Sequence, residues 1–411
     1  MNDTVKSRPL SGLTVLELGH FIAAPFCTRL LADLGAEVIK VEPPGRGDPV
    51  RRWGAIPEGQ EESVWWSVHG RNKKSVGINL KTGDGIDLVK KLIGRVDAVV
   101  ENFKPGQLAK WGLDDAEIKK ANPDIVVVHI SGYGQSGPER DRAAFGLIGE
   151  AIGGLRYLTG YPSDVSDLPP VRTGISIGDS IAGLYGAIGL LSALFAKKLG
   201  DAGAENTVVD VALTESVFSL LEGCLPEYGY FGAVRQPQGS ALATTAPSNA
   251  YPSADGAWFL IGANSDSLFG RLCRAMDRED MLIDPRFTDN PTRVRNAAAL
   301  DSEIAAWTRT RSIETLEAEM KAADIPSSRI YSIADIAGDE QFRSRRMIRS
   351  VQDPRLGEVL HPGLVPSVGT ADNDPVRWTG PTVGAHNDDV LAGMLKLSDA
   401  DLARLRREGT I

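Results

Sequence analysis

Cysteine is scarce in this chain. Cys27, Cys224 and Cys273 are the only three among 411 residues, too few for a disulfide framework and too far apart for a zinc site. A basic excess is also missing. Forty-five Lys+Arg stand against 54 Asp+Glu, a net charge of −9 at pH 7, which withholds the electrostatic footprint of a nucleic-acid binder. The opening MNDTVKSRPLSG lacks the apolar core of a signal peptide. The longest apolar stretch, Ile181–Ala196, is rich in glycine and alanine and is short for a bilayer-spanning helix. The first strand–helix junction, ELGHFIAAP, carries no GxGxxG, and no GxxxxGK[ST] occurs anywhere. Ordinary dinucleotide and P-loop chemistry therefore has no support. A cytoplasmic protein with neither nucleic acid nor membrane as a partner is expected.

What is present is a globular composition, 42% apolar and 24% charged, long enough for two or three folding units. The first 135 residues alternate short apolar runs with helical periods. Strands are predicted at 14–18, 37–41, 75–80, 97–100 and 124–130, and helices at 24–34 and 85–93. That pattern points to a doubly wound parallel sheet. Ile181–Leu199 reads as a long helix. Val208–Leu221 reads as another, with Asn206 or Thr207 as its cap. Residues 225–250 have no clear period, and 251–325 change texture towards a smaller α+β domain.

Several segments carry possible chemistry. VIKVEPPGRGDPVRRWG places Arg46, Arg51 and Arg52 after a strand, and HGRNKKS adds Arg71, Lys73 and Lys74. In an acidic chain these loops fit a polyanionic ligand or a solvated charge cluster. ENFKPGQL supplies Asn102 and Lys104 after the fourth strand, and SGYGQSGP is a tight glycine loop after the fifth. In GISIGDSIAGLYGAIGLLSAL, Asp179 opens a helix punctuated by Gly183, Gly186 and Gly189. An N-cap explains this aspartate without chemistry. An ionised carboxylate made accessible by Gly178, at a positive helix end, explains it as a nucleophile.

These segments, in this order and spacing, resemble the class III CoA-transferase family, also called CaiB/BaiF, over nearly the whole chain. The likeness starts at LSGLTVLELGHFIAAPFCTRLLADLGAEVIKVEPPGRGDPVRR. It runs through RNKKSVGINLKTGDG, ENFKPGQLAKWGL, NPDIVVVHISGYGQSGP and the Asp179 segment to GPTVGAHNDDVL. The resemblance implies a large Rossmann-like parallel-sheet domain built from both chain ends, residues 1–224 and 330–411. It implies a linker and small α+β domain over 225–329, and an interlocked homodimer. It also implies transfer of CoA from an acyl-CoA to a free carboxylic acid through aspartyl anhydride and aspartyl-CoA thioester intermediates on Asp179. Lys40, Arg71, Asn102, Phe103 and Lys104 become CoA-contact candidates, with His20 and Phe21 facing the thioester. CoA is then a substrate, and neither a tightly bound cofactor nor a metal is expected.

Two branches of the family fit less well. Phe145 stands where 2-methylacyl-CoA racemases place a histidine, and phenylalanine cannot carry a proton. QGSALATTAPSN, at 238–249, lacks the glycine-only loop of formyl-CoA:oxalate transferases. Arg52 and Arg172 are candidates for holding the far carboxylate of a small dicarboxylate acceptor, with succinyl-CoA as donor. The remaining alternatives are a racemase or epimerase, and a CoA-binding protein without activity.

Overall fold

The β-branched runs pair as a six-stranded sheet: β1 (Thr14–Glu17), β2 (Glu37–Glu42), β3 (Lys73–Gly77), β4 (Ala98–Glu101), β5 (Val126–Ser131) and β6 (Val208–Ala212). Their spatial order is β3-β2-β1-β4-β5-β6 and every pairing is parallel. The computed structural model describes residues 8–200, 203, 207–368, 374 and 376–411. Alternate strand residues feed two apolar layers. Leu16, Ile39, Val99 and Val127 face one side. Val15, Val38, Val100 and Val128 face the other. Both faces are covered, which is why these strands read as unbroken apolar runs.

One expectation fails at the sheet edge. Val208–Ala212 is a strand, and the helix begins only at Leu213. VVDVA takes the extended form because its backbone pairs with β5, Val128 opposite Val209 and Ile130 opposite Val211. Tertiary pairing here overrides an apparent helical period. Thr207 precedes this strand, and Asn206 lies outside the described residues. The long helix is Ile177–Leu199, 23 residues. It begins earlier than its apolar stretch and is long and apolar enough to cross a membrane. Its glycines instead pack it into the domain. A Cβ on Gly183 would lie 2.7 Å from the Ala23 carbonyl oxygen, on Gly186 2.9 Å from Ile130 Cδ1, and on Gly189 2.5 Å from Val209 Cγ1. The glycine stripe thus admits the Ala23–Asp33 helix and the sheet, not a ligand.

The chain divides into two units. The first holds Met1–Leu155, Thr173–Glu222 and Arg343–Ile411. Within it the carboxyl-terminal segment runs back along β3. Asn72 N–H donates to Trp378 O at 3.0 Å, His386 N–H to Ser75 O at 3.0 Å, and Asn79 N–H to Thr410 O at 2.8 Å. The same unit contains a hairpin of β10 (Ile348–Asp353) and β11 (Gly357–Pro362). The second unit holds Arg156–Arg172 and Gly223–Phe342. Its three-stranded antiparallel sheet is β7 (Ser248–Pro252), β8 (Trp258–Gly262) and β9 (Ser327–Arg329). Phe259, Ile261, Phe269, Leu272, Leu300 and Leu316 form its core.

Candidate active site

In an open parallel sheet, ligands bind beyond the carboxyl ends of the strands where the strand order reverses. Here that point lies between β1 and β4. The loops leaving these strands carry His20 and Asn102, and the two residues clasp each other. The His20 N–H donates to Asn102 Oδ1 at 2.8 Å, and Asn102 Nδ2 donates to the His20 carbonyl at 2.9 Å. Gly19 makes this possible, since a Cβ there would stand 2.7 Å from Asn102 Oδ1. His20, Phe21, Asn102 and Phe103 are therefore brought together, each half-buried. Burial holds the His20 imidazole below its ordinary pKa, opposed by Asp48 and aided by Lys40. Lys104 is exposed at the head of the second loop.

Lys40 and Arg71 lie inside the fold instead of on that surface. Both side chains are 1% exposed. The register sets Glu17 beside Lys40, and Lys40 Nζ lies 2.6 Å from Glu17 Oε1 and 2.7 Å from Asp48 Oδ2. Lys73 Nζ binds the other Glu17 oxygen at 2.8 Å. Burial works against the Glu17 anion, yet Lys40 and Lys73 outweigh it and draw its pKa down to about 2. Arg71 is bound to Asp33 at 2.6 Å and donates to the Pro362 carbonyl at 2.7 Å. Arg51, a candidate phosphate ligand by sequence, is likewise buried against Glu42 and Glu62. Buried cations need such partners, and these partners hold the three side chains within the domain.

The β4–β5 register supplies a second support. Glu101 lies beside His129. His129 Nδ1 is 2.6 Å from Glu101 Oε1 and its Nε2 is 2.9 Å from Asp115 Oδ1. The other Glu101 oxygen accepts the Phe103 N–H at 2.6 Å. Burial opposes charge on His129, but hydrogen bonds to Asp115 and Glu101 raise its pKa to about 10. His129 is thus packed, as a strand histidine should be, and it also braces the Phe103 loop.

Asp179 is not the N-cap. That position is Ser176, and Asp179 occupies the first turn of the Ile177–Leu199 helix, where the helix dipole favours an anion. It is half-buried. Two glycines shape its surroundings. A Cβ on Gly146 would approach Asp179 Oδ2 most closely, then Cγ at 2.7 Å and the backbone nitrogen at 3.0 Å. A Cβ on Gly178 would lie 2.6 Å from the Gly146 carbonyl oxygen. Gly178 therefore admits the backbone of the Gly146–Ile152 helix, and Gly146 leaves room for the carboxylate itself. Phe145 precedes this contact.

Aromatic rings link these loops. Trp111 meets Phe103 at 5.0 Å, Phe103 meets His20 at 5.3 Å, and His20 meets Phe21 at 4.8 Å. Phe21 then meets Trp53 at 5.0 Å and Phe145 edge-on at 6.2 Å. Trp53 is 40% exposed, so it belongs to this surface and not to the core. Arg52 is exposed beside it and donates to the Arg46 carbonyl at 3.1 Å. Arg172 is exposed in the second unit, whereas Asp179 lies in the first. Among the described residues no cluster of three His, Cys, Asp or Glu could hold a metal.

The model of CoA-transferase family III matches residues 10–387. The chain belongs to that family. It is 46% identical to the succinyl-CoA–D-citramalate CoA-transferase of Chloroflexus aurantiacus over 98% of both chains. It is 35% identical to the beta subunit of the same organism's succinyl-CoA–L-malate CoA-transferase over the full length of both. A solved CaiB/BaiF family protein from Brucella suis superposes with a TM-score of 0.80 at 31% identity, covering 95% of this chain and 100% of that one.

In this family III chain, sequence reasoning missed Gly146, Glu17, Asp48, Glu101 and the ring series. Gly146 sits in FGLIG with no local signal of contact to a residue 33 positions away. The rings stand on five separate segments, so no motif joins them. Glu17 carried the one available clue, a lone acid in an otherwise apolar strand.

Proposed function

We propose that this CoA-transferase moves CoA from succinyl-CoA to a small dicarboxylic acid, with Asp179 as the nucleophile. The Asp179 carboxylate attacks the thioester carbonyl, its oxygen bonding to the acyl carbon as the C–S bond breaks. CoA leaves as the thiolate. The thiolate attacks the aspartyl carbonyl of the mixed anhydride, forming aspartyl-CoA and releasing succinate. The acceptor carboxylate displaces CoA again, and the returning thiolate collects the acceptor's acyl group as Asp179 is restored. Thioester energy is kept throughout. His20, Phe21, Asn102, Phe103 and Lys104 meet the acyl-CoA, while Lys40 holds the Gly19 and Asp48 loops from within and Arg71 ties the Ala23–Asp33 helix to Pro362. CoA is a substrate here and not a resident cofactor.

The observation that carries this reading is the Asp179 carboxylate at a helix start, with a side-chain-free residue against it. The acids named for the relatives support a dicarboxylate acceptor, and Arg52 and Arg172 are the candidates for its far carboxylate. Phe145 offers no proton carrier, so racemisation has no observation in its favour. The enzyme acts in the cytoplasm as a homodimer of interlocked subunits. Leu184, Ile188, Phe195 and Leu199 leave an exposed apolar face on the Ile177–Leu199 helix, which a second copy would cover.

Asp179→Ala tests the reading. Transfer is abolished while CoA binding and thermal stability stay near those of the parent protein. Hydroxylamine or borohydride trapping of donor-treated parent enzyme modifies the peptide containing Asp179. Label on another carboxylate, or an active alanine variant, contradicts it.

A further inference from the structure

We propose that Phe145 screens Asp179-bound intermediates from water, and so sets the ratio of CoA transfer to thioester hydrolysis. This inference rests on the function proposed above.

Phe145 is 66% exposed, so the core does not require it. Its place is specific all the same. It caps the helix whose first residue, Gly146, touches the Asp179 carboxylate. Its ring ends the aromatic series that starts at Trp111 and Phe103 on the CoA loop. That series has a rigid middle. Phe21 is held at φ +62°, a backbone region that bulky residues rarely enter. Its N–H donates to Asp48 Oδ1 at 3.0 Å, and Asp48 is fixed by Lys40. Phe145 rests edge-on against this held ring, one residue before the glycine that packs on the Asp179 carboxylate.

Water and the acceptor carboxylate compete for the same carbon. When water wins at aspartyl-CoA, its oxygen bonds to the aspartyl carbonyl carbon and the C–S bond breaks. The thiolate leaves, and of the two protons lost from water one passes to the thiolate and the other to solvent, giving the Asp179 carboxylate and free CoA thiol. At the anhydride, water likewise yields two carboxylates and two protons. An apolar ring carried on the residue next to Gly146 would remove sites from which water is delivered to that carbonyl. It does not block an acceptor held by its own contacts.

The experiment compares the parent protein with Phe145→Ala and Phe145→Leu. CoA release from succinyl-CoA alone is followed with a thiol-reactive dye. CoA exchange is followed with citramalate, malate, glutarate and mesaconate. Thermal melting confirms that the variants remain folded, as the exposure of the ring predicts. In Phe145→Ala the ratio of hydrolysis to transfer rises by about tenfold or more, and in Phe145→Leu it stays within about threefold of the parent. An unchanged ratio in the alanine variant overturns the proposal. A parent protein that exchanges CoA with none of the acids overturns the transferase reading and this inference with it.

Discussion

Adding one methyl group at Gly146 tests the geometry around Asp179. A Cβ there would stand 2.7 Å from Asp179 Cγ, whereas carbon atoms rest about 3.5–4.0 Å apart. The carboxylate, or the helix start carrying it, must retreat by about 1 Å. A misplacement of that size costs about a hundredfold in rate, equal to about 2.7 kcal/mol in the barrier. Stability responds less. Overpacking costs about 1–3 kcal/mol, and alanine regains about 1 kcal/mol of helix propensity over glycine. Gly146→Ala should therefore lower kcat for CoA exchange by about a hundredfold, leave KM for the acyl-CoA little changed, and shift melting only modestly. Gly149→Ala is the control. Its Cβ would crowd Leu213 at 3.0–3.3 Å, one turn along the same helix. It should cost stability and spare kcat. If Gly146→Ala keeps kcat within about threefold of the parent, or both variants lose kcat equally, the steric reasoning fails.

Two further outcomes follow from the buried ions. Glu17→Gln leaves Lys40 and Lys73 facing each other without their shared anion, and should destabilise by about 3–5 kcal/mol in denaturant titration. Glu17 has its pKa drawn from 4.5 to about 2, so its contribution is complete above 4.5 and drains away as pH falls towards 2. His129 behaves in the opposite sense. Its pKa is raised from 6.5 to about 10, so its contribution is complete below 6.5 and is lost as pH climbs through 10. The parent protein should lose melting temperature between neutral pH and about 10 more steeply than His129→Gln. Parallel pH curves would remove the charged His129 from the account.

Much of the large domain could be read from the chain because its strands are covered on both faces. Val126–Ile130 and Glu37–Val41 announce themselves by β-branched content alone. β6 escaped because VVDVALTESVF has an acceptable helical period, and only pairing with β5 decides against it. The cations misled for a related reason. Lys40, Arg51 and Arg71 have the composition of a ligand clamp, but burial is a property of the folded chain. Their carboxylate partners at Glu17, Asp48, Glu42 and Asp33 lie up to 38 residues away. Asp179 was legible as an accessible anion at a helix end, and its neighbour Gly146 was not. The contact arises where two helix starts meet, and neither start carries a mark of the other.

The return of residues 378–410 along β3 has a consequence for synthesis. β3 is an edge strand of the sheet, and an open edge invites pairing with other chains. Apart from the Lys73 N–H, which donates to Gly70 O, its outward backbone groups are met by Trp378, His386 and Asn387, 305 to 311 residues later in the chain. The second unit, by contrast, is complete once Phe342 has emerged. A nascent chain therefore carries a finished second unit while the β3 flank of the first stays bare until Trp378, His386 and Asn387 have followed. A ribosomal stall between Phe342 and Trp378 holds the molecule in that state, with the β3 edge open to pairing for as long as the stall lasts.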